Sequence, residues 1–441
     1  MKYVEFRALP RYRHFAVDPL STLKLTLASF FGCDAEFIDE PSRVLNDRWG
    51  IDILKNPGRG CYILSDSEAL ILGRVLCDAE LKSAFCLHLT SGRFSSIDRL
   101  LNVLESSLTF TLSKSYLLEF EDAAQRLGDA LIRLTIAKLF SKGRFDYRRF
   151  LYLIELFSKL AGTAFEGRPF STGLILTRSH YAFAGREPGS RFGDSFSLVT
   201  PKELVPGRQP EKRFWYLADG TSSFFLCSRK LRVANLFILK DTTLNPETFL
   251  GSYALSRTLR GGDALFRVVA PLEFSITRPG GLEFVYKENS WRVRDFPRIN
   301  RELQQTSGLA PKASAALLYW VSELSRRRQS SLIWMPASGT DASAILMSQN
   351  QLAAGLSLCE SAHAPTVARI LTSDGATLID SDMVIQNYGC VVDSSKVKPA
   401  GVRGTGESVA SFLGESGLAV KVSQDGNVKV YPGPGAQSVL L

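Results

Sequence analysis

The chain has 441 residues, 45% of them apolar and 22% charged, with a net charge of +9 at neutral pH. That length supports two or three domains with formed cores, while a mean hydropathy of +0.01 and the lack of any apolar run of bilayer length predict no membrane span. The basic excess favours anionic partners, whether nucleotides, nucleic acid or acidic surfaces.

The opening residues, M-K-Y-V-E-F-R-A-L-P-R-Y-R, contain an acid and no signal-peptide core, so the expected location is the cytoplasm. Seven cysteines (33, 61, 77, 86, 227, 359 and 390) form no C-x-x-C pair and read as free thiols in a reducing compartment. Four histidines (14, 88, 180 and 363) show no ligand spacing, so a structural zinc site is not expected. The one compact basic run, Arg326-Arg327-Arg328, follows an apolar helical pattern and reads as a helix C-terminal charge cluster. Aromatic residues are not interleaved with basic ones, so nucleic acid is not the expected partner.

Along the chain, residues 1–145 read as a mixed α/β region. Lys2–Leu9 alternates like a strand, and Cys61–Cys77 reads as two strands around a Ser65–Glu68 turn. Ile97–Leu104 and Leu117–Leu139 have helical apolar spacing. No chemistry-bearing constellation stands out here, and elimination leaves a regulatory or interaction domain that engages a protein partner. Phe145–Leu160 is an amphipathic helix with Asp146 as N-cap. Gly173–Thr177 is a buried strand, Pro188–Pro210 reads as loop, and Phe214–Leu226 reads as strands beside the acidic turn Asp219-Gly220-Thr221. Ala264–Val269 and Phe284–Tyr286 are strands around Gly280-Gly281, and Asn289–Arg301 reads as a charged connector.

Lys312–Arg326 is again an amphipathic helix, followed by an apolar strand, Ser331–Met335. Met347–Gly355 and Ala364–Thr372 continue an α/β alternation up to a second acidic turn, Asp374-Gly375-Ala376. Gly401, Gly404, Thr405 and Gly406 form a glycine-rich turn that opens a helix over Gly404–Leu413. Ala419–Ser423 and Val428–Tyr431 form a hairpin across Asp425-Gly426-Asn427, and the tail from Pro432 has loop composition. A carboxylate able to hold a metal, together with free backbone N–H groups at a helix start, is one way to hold a nucleotide triphosphate. D-G is equally an ordinary turn dipeptide.

The two halves after residue 145 match in order. F-L-Y-L-I-E-L-F-S at Phe150 resembles L-L-Y-W-V-S-E-L-S at Leu317, and L-I-L at Leu174 resembles L-I-W at Leu332. Asp219-Gly220-Thr221 matches Asp374-Gly375-Ala376, and G-L-E-F-V-Y at Gly281 matches G-N-V-K-V-Y at Gly426. The order implies a tandem duplication.

On these motifs the segment 310–435 resembles a diadenylate cyclase (DAC) domain, and 146–290 resembles a more divergent, sensor-type copy. The resemblance implies a mixed α/β (α+β) fold class in three parts. An N-terminal domain spans 1–145, a divergent DAC-like domain 146–300, and a DAC-like nucleotide-binding domain 310–441, the last a mixed sheet with flanking helices. It implies that Asp374 is the catalytic and metal-binding carboxylate. It also implies that Gly375, Ala376, Arg403, Gly404, Thr405, Gly406, Glu407 and Ser408 line the nucleotide site, with Asp219, Gly220 and Thr221 as counterparts in the first copy. The family's G-T-R-H-R-A-A segment aligns with G-T-G-E-S-V-A, so Gly406, Glu407 and Ser408 replace its cations and Arg403 stands just upstream. Phosphoryl transfer depends on cationic stabilisation of the phosphates.

Three readings follow. The first is a nucleotide or cyclic-dinucleotide sensor, of the kind used in bacterial second-messenger signalling, without efficient synthesis. The second is an active cyclase that condenses two ATP with Mg²⁺ or Mn²⁺. The third is a non-catalytic α/β interaction scaffold.

Overall fold

The computed structural model describes residues 19–38, 41–52, 60–65, 68–74, 81–89, 97–113, 121–141, 146–169, 171–178, 193–206, 210–239, 259–260, 262–287, 289–397, 405–433 and 439–440. The expected strand at Lys2–Leu9 lies outside them. The chain forms two compact units, Met1–Leu156 with Phe284–Val293, and Phe157–Glu283 with Arg294–Leu441. Both mix helices and sheets, so the fold class is α/β of the α+β kind. No helix among the described residues is long and apolar enough to cross a membrane.

The first unit contains helices α1 (Pro19–Phe31), α2 (Pro41–Trp49), α3 (Ile97–Ser113) and α4 (Glu121–Phe140) and strands β1 (Asp34–Ile38), β2 (Cys61–Ile63), β3 (Glu68–Arg74) and β4 (Leu81–His88). The strands form one antiparallel sheet in the order β1-β4-β3-β2. Residues two apart in a strand share a face. Leu70, Leu72, Ala84 and Cys86 therefore pack on one side with Ile38 and with Leu45 of α2. Ala69, Ile71, Phe85 and Leu87 are buried on the other. Leu64 N–H donates to the Glu68 carbonyl at 2.9 Å where β2 gives way to β3, and Asp66 and Ser67 of the expected turn lie outside the described residues.

Further on come α5 (Tyr147–Ala161), β5 (Ala164–Phe165), β6 (Arg168–Pro169), β7 (Thr172–Thr177), β8 (Gly193–Glu203), a single turn α6 (Lys212–Trp215), β9 (Ser223–Ser228), β10 (Arg232–Leu239), β11 (Ala264–Ala270), β12 (Glu273–Thr277), β13 (Leu282–Lys287) and β14 (Ser290–Asp295). Asp146 caps α5 as expected, its Oδ1 accepting from Arg148 N–H at 2.9 Å. The remainder is α7 (Phe296–Ser307), α8 (Pro311–Arg326), β15 (Ser331–Pro336), β16 (Leu346–Ser357), α9 (Ala364–Leu371), β17 (Ala376–Ile379), β18 (Val384–Val392), α10 (Thr405–Gly414), β19 (Gly417–Val422), β20 (Val428–Tyr431) and β21 (Val439–Leu440).

The second unit repeats one strand order. Its first sheet contains the run β8-β10-β9-β7-β11-β12, and its second runs β16-β18-β17-β15-β19-β20-β21. Each has one parallel pair at the centre: β7 with β9 (Leu174 beside Phe225) and β15 with β17 (Ile333 beside Thr377). Both central strands are buried along nearly their whole length, as strands covered on both faces must be. Two of the matches read from the sequence keep their places in this order: Leu174 and Leu332 lie on the central strands, and Asp219-Gly220 and Asp374-Gly375 each lead into the parallel neighbour. The match of G-L-E-F-V-Y at Gly281 with G-N-V-K-V-Y at Gly426 does not hold, because the first is β13 and the second is β20, whose counterpart in this order is β12.

Several expectations change. Gly193–Glu203, read as loop, is an edge strand pairing with β10. Its mostly half-buried and exposed residues leave no apolar alternation to signal a strand. Phe214–Trp215 belongs to α6, and the expected strand begins only at Ser223. Asn289–Arg301 is not a connector but β14 running into α7. Asp295 caps that helix by accepting from Arg298 N–H at 3.2 Å, Pro297 lies in its first turn, and Gly308 ends it in the left-handed region. Val439–Leu440 in the tail adds a short strand beside β20.

Candidate functional site

The sheet of the last 110 residues has two covered faces. Ile333, Met335, Ile379, Val420 and Val430 pack under α8 and α9, whereas Leu332, Trp334, Ala376, Leu378, Ala419 and Tyr431 pack with Ala410 and Leu413 of α10. Helix α10 lies antiparallel to the neighbouring β19. At its far end a Cβ on Gly414 would come within 2.5 Å of Tyr431, and at its start a Cβ on Gly406 would come within 3.0 Å of the Lys421 Cε. The first turn of α10 therefore sits at the sheet end where β15 and β17 begin and β19 finishes, since Ser331 pairs with Val422.

Asp374 and Gly375 lead directly into β17 at this same end. Asp374 is exposed, and its Oδ1 accepts from Gly375 N–H at 3.0 Å. Gly375 has φ +91°, and a Cβ there would lie 2.7 Å from the Cys390 carbonyl, so the turn admits only glycine. Ala376 is a buried core residue under α10. β17 and β19 are two strand spacings apart, about 10 Å, and α10 packs on the face that Ala376 and Ala419 share. Of the residues singled out from the sequence, Asp374, Gly375, Thr405, Gly406, Glu407 and Ser408 thus share one sheet end. Arg403 and Gly404 lie outside the described residues.

Two lysines at this end went unnoticed in the sequence. Lys421 and Lys429 face each other across the β19–β20 hairpin. Lys421 Nζ donates to Ser330 Oγ at 2.8 Å, and burial pulls its pKa below the ordinary lysine value. Lys429 Nζ is 2.5 Å from Glu407 Oε1 on the first turn of α10. The available signal was register: in a hairpin closed by Asp425-Gly426-Asn427, the lysines of V-K-V and V-K-V fall opposite one another on the face away from the valines.

In the first copy, Asp219 is turned inward. Its Oδ1 accepts from the backbone N–H groups of Thr221, Ser222 and Ser223 at 2.8, 2.7 and 2.8 Å, and its Oδ2 accepts from Ser222 Oγ. Burial opposes the charge, but the Ser222 hydroxyl and the three N–H groups outweigh it and hold the carboxyl below its usual range. Gly220 is buried at φ +69°, where a Cβ would meet the Thr172 carbonyl at 2.4 Å, and its own carbonyl accepts from the buried Arg267 Nε at 2.7 Å. Thr221 is exposed. This turn spends its acceptors on itself.

No protein-family model matches the chain, and no curated protein does. Among solved structures it has weak similarity to a hypothetical membrane spanning protein from Bacillus cereus, with 21% identity over 32% of this chain and 68% of that one at a TM-score of 0.25. It has similarly weak similarity to DacA from Staphylococcus aureus, crystallised as a double mutant, with 17% identity over 32% of this chain and 88% of that one at a TM-score of 0.23.

Proposed function

We propose that the protein is a DAC-like nucleotide-binding sensor, which takes a nucleotide or cyclic dinucleotide at the α10 end of its last sheet and serves nucleotide second-messenger signalling. The observation that carries this reading is the gathering of one exposed carboxylate, Asp374, the opening turn of α10 and the lysine pair 421 and 429 at one sheet end. A helix start presents N–H donors to phosphate, and Lys421 adds a cation already partly withdrawn from water.

The donor set fits Mg²⁺ or Mn²⁺ modestly. Such ions take one or two carboxylates together with phosphate oxygens, and Asp374 supplies one. Asp374 would hold the ion, which would neutralise phosphate charge. Gly406, Glu407 and Ser408 stand where the DAC family carries its cationic motif, so the reading is binding without efficient synthesis.

Isothermal titration of the purified chain with ATP and with cyclic dinucleotides tests this. Binding that weakens in Lys421→Met, with no pyrophosphate released in Mg²⁺ or Mn²⁺, is the expected result. Silence toward every nucleotide removes the reading, and pyrophosphate release that is lost in Asp374→Ala replaces the sensor with an enzyme.

A further inference from the structure

The first unit holds a constellation that sequence spacing does not reveal. Cys86 and His88 are two residues apart on β4 and so share a face of the sheet. Glu68 of β3 is the direct cross-strand partner of His88, and Glu36 of β1 is the direct partner of Cys86 from the other side. One ligand atom each from Glu68, Cys86 and His88 lie within 4.8 Å of one another. His88 Nδ1 is 3.5 Å from Glu68 Oε1, and His88 Nε2 is 3.7 Å from Glu36 Oε2.

We propose that this face binds a divalent transition metal, Zn²⁺ first among them, through Cys86 Sγ, His88 Nδ1 and a Glu68 oxygen, with Glu36 behind the imidazole. Tetrahedral Zn²⁺, with bonds of about 2.0–2.3 Å, sets its ligands about 3.3–3.8 Å apart. Side-chain adjustments of about 1 Å close the observed group to that size. A sulfur, nitrogen and oxygen set suits zinc or its neighbours rather than Mg²⁺ or Ca²⁺.

The surroundings match a metal site on both sides. With Nδ1 on the metal, the Nε2 proton points to Glu36, which is the carboxylate–histidine–metal relay that fixes the ring. Glu36 is itself held by Arg48, whose Nη1 reaches its two carboxylate oxygens at 3.0 and 3.1 Å. The thiol sits at the edge of an apolar cluster with Ile38, Leu70, Leu72 and Ala84, and the carboxylates open toward solvent. Binding displaces the thiol proton to water, and three protein ligands leave a fourth position for a water molecule. The competing reading is an imidazolium held between two carboxylates, which needs no metal.

The test uses the full-length protein, stripped with a chelator, dialysed, and then titrated with Zn²⁺ and separately with Co²⁺. About one equivalent of Zn²⁺ retained, and a near-ultraviolet sulfur-to-cobalt band, are the expected results. Both are lost in Glu68→Gln and His88→Gln, whose half-buried side chains lie outside the apolar cluster, so the circular dichroism and melting of the metal-free variants are expected to be unchanged. Glu36→Gln weakens binding about 10–100-fold while keeping the band. Cys86→Ala removes the band, although its buried position makes it the less decisive variant. No stoichiometric uptake, a cobalt spectrum without the sulfur band, or uptake unchanged in both Glu68→Gln and His88→Gln overturns the proposal.

Discussion

Asp219 and Asp374 each precede the strand that runs parallel to the central strand of like-ordered sheets, yet their carboxylates do opposite things. Asp219 accepts four hydrogen bonds from its own loop. Asp374 is exposed and accepts one, from Gly375. The same dipeptide is thus a structural staple in one copy and a group open to solvent in the other. Both copies share the strand order, and only the second leaves this carboxylate open to solvent.

Asp219→Ala is expected to destabilise the protein by about 2–4 kcal/mol, since it leaves three N–H donors of a partly buried loop without their acceptor. Asp374→Ala is expected to change stability by less than about 0.5 kcal/mol, as exposed substitutions do, while abolishing any metal-dependent strengthening of nucleotide binding. Chemical denaturation of both variants, alongside titration with ATP, separates the two roles. Equal losses of stability would refute the distinction.

Asp219 also shapes the acid limb of stability. Its folded pKa lies below the unfolded value of about 3.9. Its contribution is therefore fully present above about pH 4 and is lost as pH falls through the folded value. Asp219→Asn cannot lose what it never had, so its stability should fall less steeply than that of the wild type between about pH 4 and pH 2. Urea unfolding across that range reads the difference, and parallel curves would show that the charge is not what the turn uses.

Gly220 and Gly375 are tied to their turns by two independent constraints, a positive φ and a carbonyl within 2.4 and 2.7 Å of any added Cβ. Gly220→Ala and Gly375→Ala should each cost more than about 2 kcal/mol, exceeding the roughly 1 kcal/mol charged for backbone conformation alone. Gly280 has φ +86° with nothing within 4 Å, so Gly280→Ala is the control, confined to the conformational cost. Melting of the three variants should rank them in that order.

What the sequence disclosed, and what it hid, follows from the range of the forces involved. Amphipathic helices such as α8 and buried central strands such as β7 and β15 show themselves in local apolar spacing. The edge strand β8 does not, because an edge strand buries little and its pattern is set by its partner β10. β14 and α7 were obscured by charge, although the Asp295 cap and Pro297 mark the helix start in hindsight. In the last domain, the placing of Asp374 and the start of α10 at one sheet end follows from chain order once the strand order is known. The Lys421–Lys429 pairing and the Glu36, Glu68, Cys86 and His88 group are cross-strand relations, fixed by register rather than by spacing along one segment.

The last expectation concerns how charge is divided at the α10 end. Lys429 is engaged with Glu407, while Lys421 is held by the neutral hydroxyl of Ser330. Lys421 therefore keeps more of its field for an arriving phosphate. A charge-assisted hydrogen bond contributes about 1.5 kcal/mol or more, so Lys421→Met should weaken nucleotide binding about tenfold. Glu407→Gln should act in the other direction, because it removes a negative charge beside the phosphates and releases Lys429 to them, strengthening binding severalfold at low salt and less as ionic strength rises. The double variant should fall between the two. Affinities for ATP and for a cyclic dinucleotide at two salt concentrations decide the matter, and a Glu407→Gln variant that binds more weakly than wild type would mean that the glutamate orders the helix start instead of opposing the ligand.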